Sequence, residues 1–145
     1  MGATLVRPDI LASINKGEHS STFGGNPISC AAGIAALKAI TEDGLIENSE
    51  KMGKKFREGL EELKEKHTMI REVRGKGLMI GIEMKFEVRD ILMALIKKGV
   101  LMLYSGRNIL RILPPLAISE EDVTKVLHAL DSILTEEEQK RNVQG

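Results

Sequence analysis

After Lys66 the apolar residues of this chain stop recurring every three or four positions and begin to alternate. Met52, Phe56, Leu60 and Leu63 form one stripe of a helix predicted over 45–66. Leu78, Ile80 and Ile82 then alternate with Met79, Gly81 and Glu83, the period of a strand with one covered face. A chain that makes this switch needs a sheet and helices to lie on it. Further strands are predicted at Ile70–Arg74, Val100–Leu103 and Ile109–Leu113, the last ended by Pro114-Pro115 because proline cannot donate to a ladder. A helix over 88–98 carries Ile91, Leu92, Leu95 and Ile96 on one face and closes at Gly99. Ser119-Glu120-Glu121-Asp122 resembles a capping box. The helix it opens is expected to run to about Leu134, with Val123, Val126, Leu127, Leu130 and Leu134 inward and a frayed polar tail over 135–145. The fold class is therefore α+β, a small sheet covered by helices.

The first 44 residues have no obvious place in that sheet. Residues 3–6 read as a short buried strand. Arg7-Pro8-Asp9 starts a helix with Ile10, Leu11 and Ile14 on one face and Gly17 at its end. Glu18 to Gly25 reads as loop, Asn26 as an N-cap and Pro27 as a first helical residue. The next helix, to about Thr41–Asp43, is rich in small side chains, which allow close backbone approach, and is expected to be buried.

Lys+Arg and Asp+Glu both number 21, a balance that argues against nucleic acid as partner, since phosphate binders carry a basic excess. The single cysteine, Cys30, excludes an intrachain disulfide and a metal site of several thiolates, and suits a reducing, cytoplasmic setting. No apolar run is as long as a membrane span, and no metal-ligand spacing occurs.

Two places carry candidate chemistry. In Ser20-Ser21-Thr22-Phe23-Gly24-Gly25-Asn26-Pro27, hydroxyls and a glycine turn lead into a helix N-terminus. Such a turn can bind an anion, though locally it is more often only structural. Arg111 lies in the otherwise apolar strand Ile109-Leu110-Arg111-Ile112-Leu113. It can be half of a structural ion pair or a clamp for a ligand carboxylate, and local chemistry leaves the two even. His19 reads as a loop packing residue, His67 and His128 as isolated helix histidines, Glu83 as paired or solvent-facing, and Cys30 as a small buried side chain.

Three blocks in order then resemble one family. Glu18-His19-Ser20-Ser21-Thr22-Phe23-Gly24-Gly25-Asn26-Pro27 resembles the His-x-Ser-Thr-Phe-Gly-Gly-Asn-Pro signature of class III aminotransferases, which are fold-type I enzymes dependent on pyridoxal phosphate. Val73-Arg74-Gly75-Lys76-Gly77-Leu78-Met79-Ile80-Gly81-Ile82-Glu83 and Asn108-Ile109-Leu110-Arg111-Ile112-Leu113-Pro114-Pro115-Leu116 are similar to two further blocks of that family. The nearest subgroup is the acetylornithine and carrier-linked lysine or ornithine aminotransferases.

The resemblance covers nearly the whole chain but only the C-terminal third or so of the family. It implies three parts: residues 1–26 as a remnant of the large domain with the cofactor-phosphate loop, 27–45 as a connecting buried helix, and 46–145 as the C-terminal small domain. Thr22, with Ser21 beside it, would bind the phosphate of pyridoxal phosphate across a homodimer. Arg111 would clamp the substrate α-carboxylate, and the 75–83 block would be mainly structural. The family's Schiff-base lysine, and the aspartate that pairs with the pyridine nitrogen, lie upstream of the point matching Met1, so no catalytic residue is assigned here.

The expectation is thus a truncated portion of an aminotransferase of arginine or lysine biosynthesis, inactive alone, whose parent moves an amino group from a small or carrier-linked donor to 2-oxoglutarate. The alternative is a non-catalytic oligomerisation or ligand-binding module derived from that fold.

Overall fold

The computed structural model describes residues 2–15 and 17–143, and it divides between Gly44 and Leu45 into two compact units. The N-terminal unit holds a four-residue helix α1 (Pro8–Leu11) and a sixteen-residue helix α2 (Pro27–Glu42). The strand expected at 3–6 does not form, since among the described residues that unit has no strand to pair with it. The first helix stops at Leu11 instead of reaching Gly17.

Helix α2 was expected to be buried, but none of its residues is. Its small side chains leave a surface that another backbone could cover closely, and among the described residues its own unit offers a four-residue helix besides loops. Ile28, Ile34 and Leu37 stay exposed, and Cys30 is half-buried where a buried side chain was expected.

The second unit contains α3 (Leu45–Lys66), β1 (Ile70–Lys76), β2 (Met79–Met84), α4 (Arg89–Lys97), β3 (Leu103–Ser105), β4 (Ile109–Ile112) and α5 (Glu120–Val143). The sheet order is β1-β2-β4-β3 with every neighbouring pair antiparallel. One face is the core. Ile80, Ile82 and Met84 from β2 and Leu110 and Ile112 from β4 meet the helix stripe of Met52, Phe56, Leu60 and Leu63. Phe56 and Leu60 have no exposed surface, and burying a side chain of this size is worth about 1.5–3 kcal/mol.

Helix α3 seats on the β1–β2 turn without a side chain between them. A Cβ placed on Gly53 would land on the carbonyl of Gly77, so a glycine is needed there for the helix to approach. Gly77 has φ +53°, a conformation glycine adopts freely. The first turn of α3 is tied to the far end of the fold by Asn48, whose Nδ2 donates to the carbonyls of Leu116 (2.6 Å) and Ile118 (3.1 Å).

Helix α5 starts as its sequence suggests: the Asp122 N–H donates to Ser119 Oγ at 3.1 Å. It does not end at Leu134 but continues to Val143. The polar residues read as a frayed tail have partners there. Glu138 Oε2 lies 3.1 Å from Nδ1 of buried His67, although not aligned for a hydrogen bond. The Arg141 guanidinium sits 3.7 Å above the Phe86 ring. His67 itself lies just beyond the end of α3 and is not an isolated helix residue.

Candidate functional site

The glycine loop before α2 is organised by Asn26. Its Oδ1 accepts from the Ser29 N–H at 2.9 Å, and its Nδ2 donates to the Phe23 carbonyl at 2.8 Å and to Ser29 Oγ at 2.9 Å. A turn bond from the Gly24 N–H to the Ser21 carbonyl (3.3 Å) and a positive φ at Gly25 (+69°) bring the chain round. Pro27 has no N–H and Asn26 already uses the Ser29 N–H, so the helix end retains little donor capacity of its own. The hydroxyls of Ser21 and Thr22 are different. Both residues are exposed, and among the described residues neither hydroxyl makes a hydrogen bond. Two free hydroxyls on a glycine turn fit a phosphate monoester through the loop rather than through the helix dipole.

Arg111 belongs to the second unit. It points away from the core, on the sheet face opposite Leu110 and Ile112. In the register it lies between Gly81 of β2 and Leu103 of β3. Among the described residues it has no ion-pair partner, so the structural ion pair considered from sequence finds no acid to make it. Around it the outer face is part apolar: Leu103 is 55% exposed and Met79 57%. A guanidinium rising from an apolar surface beside a glycine suits a carboxylate on a short carbon chain.

Sequence reasoning missed the charge network on the same face. Glu83 Oε1 accepts from Arg71 Nη1 and Oε2 from Arg74 Nη1, both at 2.9 Å, and Arg74 also donates to Glu72 at 2.7 Å. The two arginines, Arg74 first, hold the Glu83 carboxyl below its ordinary value. Glu72 and Glu83 face each other directly across the ladder, a repulsive placement that the arginines offset. The register shifts between Ile70 and Glu72, a bulge that contains Arg71. Alternation alone places Glu83 on the face of Gly81, but a bulge cannot be read from alternation.

Elsewhere, a groove of about 640 Å³ runs between α4 and β3, lined by residues that include Leu92, Met93, Ile96 and Tyr104. Among the described residues no cluster of His, Cys, Asp or Glu could hold a metal, and no helix is long and apolar enough to cross a membrane.

Residues 1–134 match the family described as aminotransferase class-III. The chain is 46% identical over 137 residues to the acetylornithine aminotransferase of Caldanaerobacter subterraneus subsp. tengcongensis, an alignment covering 94% of this chain and 35% of the relative. It is 40% identical to the acetylornithine aminotransferase of Methanocaldococcus jannaschii over 94% of this chain and 34% of that one. Among solved structures, the acetylornithine aminotransferase from Elizabethkingia anophelis superposes with a TM-score of 0.83 at 36% identity, over 91% of this chain and 36% of the other. Ornithine delta-aminotransferase of Plasmodium falciparum gives 0.84 at 33% identity, over 90% and 35%. The chain thus spans about a third of the length of the relatives it matches. Both its sequence and its α+β fold place it in one family: the chain belongs to the class-III aminotransferases.

Proposed function

We propose that this chain supplies the carboxylate-recognising small domain and a cofactor-phosphate arm of a pyridoxal-phosphate-dependent aminotransferase. The amino donor is of the acetylornithine or ornithine kind and the acceptor is 2-oxoglutarate. The observation that carries this reading is Arg111, an exposed guanidinium without an acid partner among the described residues, between Gly81 and Leu103. A carboxylate pairs with it bidentately, and the apolar side chains of Leu103 and Ile109 beside it suit a short carbon chain. The chemistry that pyridoxal phosphate would supply when bound is an electron sink and a carrier for the amino group. Thr22 and Ser21 would hold its phosphate through hydrogen bonds donated by their hydroxyls, and Asn26 keeps their loop in shape. No lysine of this chain is assigned the acid/base role that such chemistry needs, and the chain alone is proposed to have no turnover. The donor names come from the relatives, and a carrier-linked donor fits the same arginine.

The uncovered apolar side chains of the N-terminal unit, including Phe23, Ile28, Ile34 and Leu37, favour self-association as a dimer. The lone cysteine supports a reducing, cytoplasmic setting.

The test is a titration of the chain with 2-oxoglutarate followed by NMR. Shifts are expected at Arg111 and Gly81 and should vanish in Arg111→Ala. Shifts that persist in that variant, or none at millimolar ligand, overturn the carboxylate assignment.

A further inference from the structure

Arg111 has a competitor for its ligand one step away in the sheet. Glu83 faces Ile109 on one side and Glu72 on the other, while Gly81 faces Arg111 and Arg74. Glu83 is therefore the diagonal neighbour of two arginines, Arg74 on β1 and Arg111 on β4, placed symmetrically about Gly81. Diagonal neighbours on one face of a sheet stand about 7–8 Å apart, within reach of long side chains. Gly81 contributes no side chain of its own between them; on the β4 side the Ile109 Cγ2 methyl leans over it, 3.5 Å from where a Cβ would sit, and on the β1 side no side chain does.

Glu83 is committed to one side only. Both of its oxygens are taken, by Arg71 from the bulge and by Arg74, at 2.9 Å each. Resting on the reading of Arg111 as the carboxylate clamp, we infer that Arg71 and Arg74 are positioning residues that hold Glu83 away from Arg111 and so keep that guanidinium free for substrate. Without them Glu83 swings across Gly81 and pairs with Arg111, occupying the clamp with the protein's own carboxylate. The sheet then contains an internal competitor whose capture sets the clamp's affinity. Two arginines serve better than one, because a single donor leaves one carboxylate oxygen to look for another partner.

The experiment uses Arg71→Ala/Arg74→Ala, the same pair with Glu83→Gln added, and Arg74→Lys. All three positions lie on the outer face, away from the core. In the 2-oxoglutarate titration, the double variant should bind about threefold to fivefold more weakly, the factor a part-exposed ion pair is worth. Adding Glu83→Gln should restore the parent affinity, and Arg74→Lys should retain most of it. A double variant that binds like the parent, or a loss that Glu83→Gln does not restore, overturns the inference.

A second reading needs no ligand. The Glu83 side-chain carboxyl, followed by carbon NMR against pH, should still titrate low in the double variant because Arg111 has taken over, and should move up when Arg111→Ala is added. A carboxyl that rises in the double variant and ignores Arg111→Ala overturns the inference. If the parent chain does not bind 2-oxoglutarate, the carboxylate assignment of Arg111 fails, and the carboxyl titration still decides whether Arg71 and Arg74 keep Glu83 from it.

Discussion

His67 Nε2 lies 2.7 Å from Asp131 Oδ1, joining the end of α3 to the middle of α5. A carboxylate only accepts, so Nε2 carries the proton. Lys66 Nζ donates to the same carboxylate, at 2.6 Å and 2.8 Å from its two oxygens. Lys66 first, and then His67, hold the Asp131 carboxyl below its ordinary value. A depressed carboxyl stabilises the fold above the unfolded value, about 4, and that stability is lost as pH falls through the folded value. Asp131→Asn should therefore cost about 1–2 kcal/mol at neutral pH, as for a hydrogen-bonded, partly exposed charge. In urea denaturation at stepped pH, the gap from the parent should narrow below about pH 4. A gap of constant size down to pH 3 would assign the cost to packing instead.

Gly53→Ala sets two effects against each other. Alanine is the better helix former by about 1 kcal/mol, but its Cβ would meet the Gly77 carbonyl, and forcing atoms into a packed contact costs about 1–3 kcal/mol. The backbone on the other side cannot rotate away as a side chain can. Net destabilisation is expected in chemical denaturation, and a gain in stability would show that the helix slides on the turn.

Cutting the chain after Thr135 should destabilise the second unit. The cut removes Glu136 from Lys98 and Arg141 from the Phe86 face, the latter worth about 0.5–1 kcal/mol alone. Arg141→Ala should reproduce that smaller part. An unchanged denaturation midpoint on truncation would mean that the last turns of α5 contribute nothing.

Asn26→Ala removes the cap of α2 and the bonds that shape the glycine loop, a loss of about 1 kcal/mol for a typical cap. Helix α2 buries no residue and depends on its own propensity and cap. Amide exchange over 27–42 should accelerate, while amides of β2 and β4 keep their protection. Equal acceleration in both units would contradict this division.

Much of the second unit was legible because its elements are amphipathic and bury against one another. The stripe of Met52, Phe56, Leu60 and Leu63 and the alternation of Ile80 and Ile82 each name a core face without outside help. The end of α5 was not legible, since Glu138 and Arg141 look like solvated tail residues until His67 and Phe86, more than fifty positions earlier, are placed beside them. The strand at 3–6 and the burial of α2 were misread for one shared reason: small or apolar composition states what a segment would accept as neighbours, and not that the neighbours are in the chain. In the candidate site, Ser21, Thr22 and Arg111 stand out by residue type. The hold on Glu83 depends on ladder register and a bulge, which no local pattern encodes.

Among the described residues the buried apolar side chains run from Met52 to Leu134. A heat-capacity peak recorded on this chain therefore measures cooperativity in the arginine-bearing unit. The loop of Ser21 and Thr22 belongs to the other unit and lies outside that transition, so substitutions there leave the peak in place. Screening variants by thermal shift would pass every loop mutant as sound, so the loop and the arginine-bearing unit need separate assays.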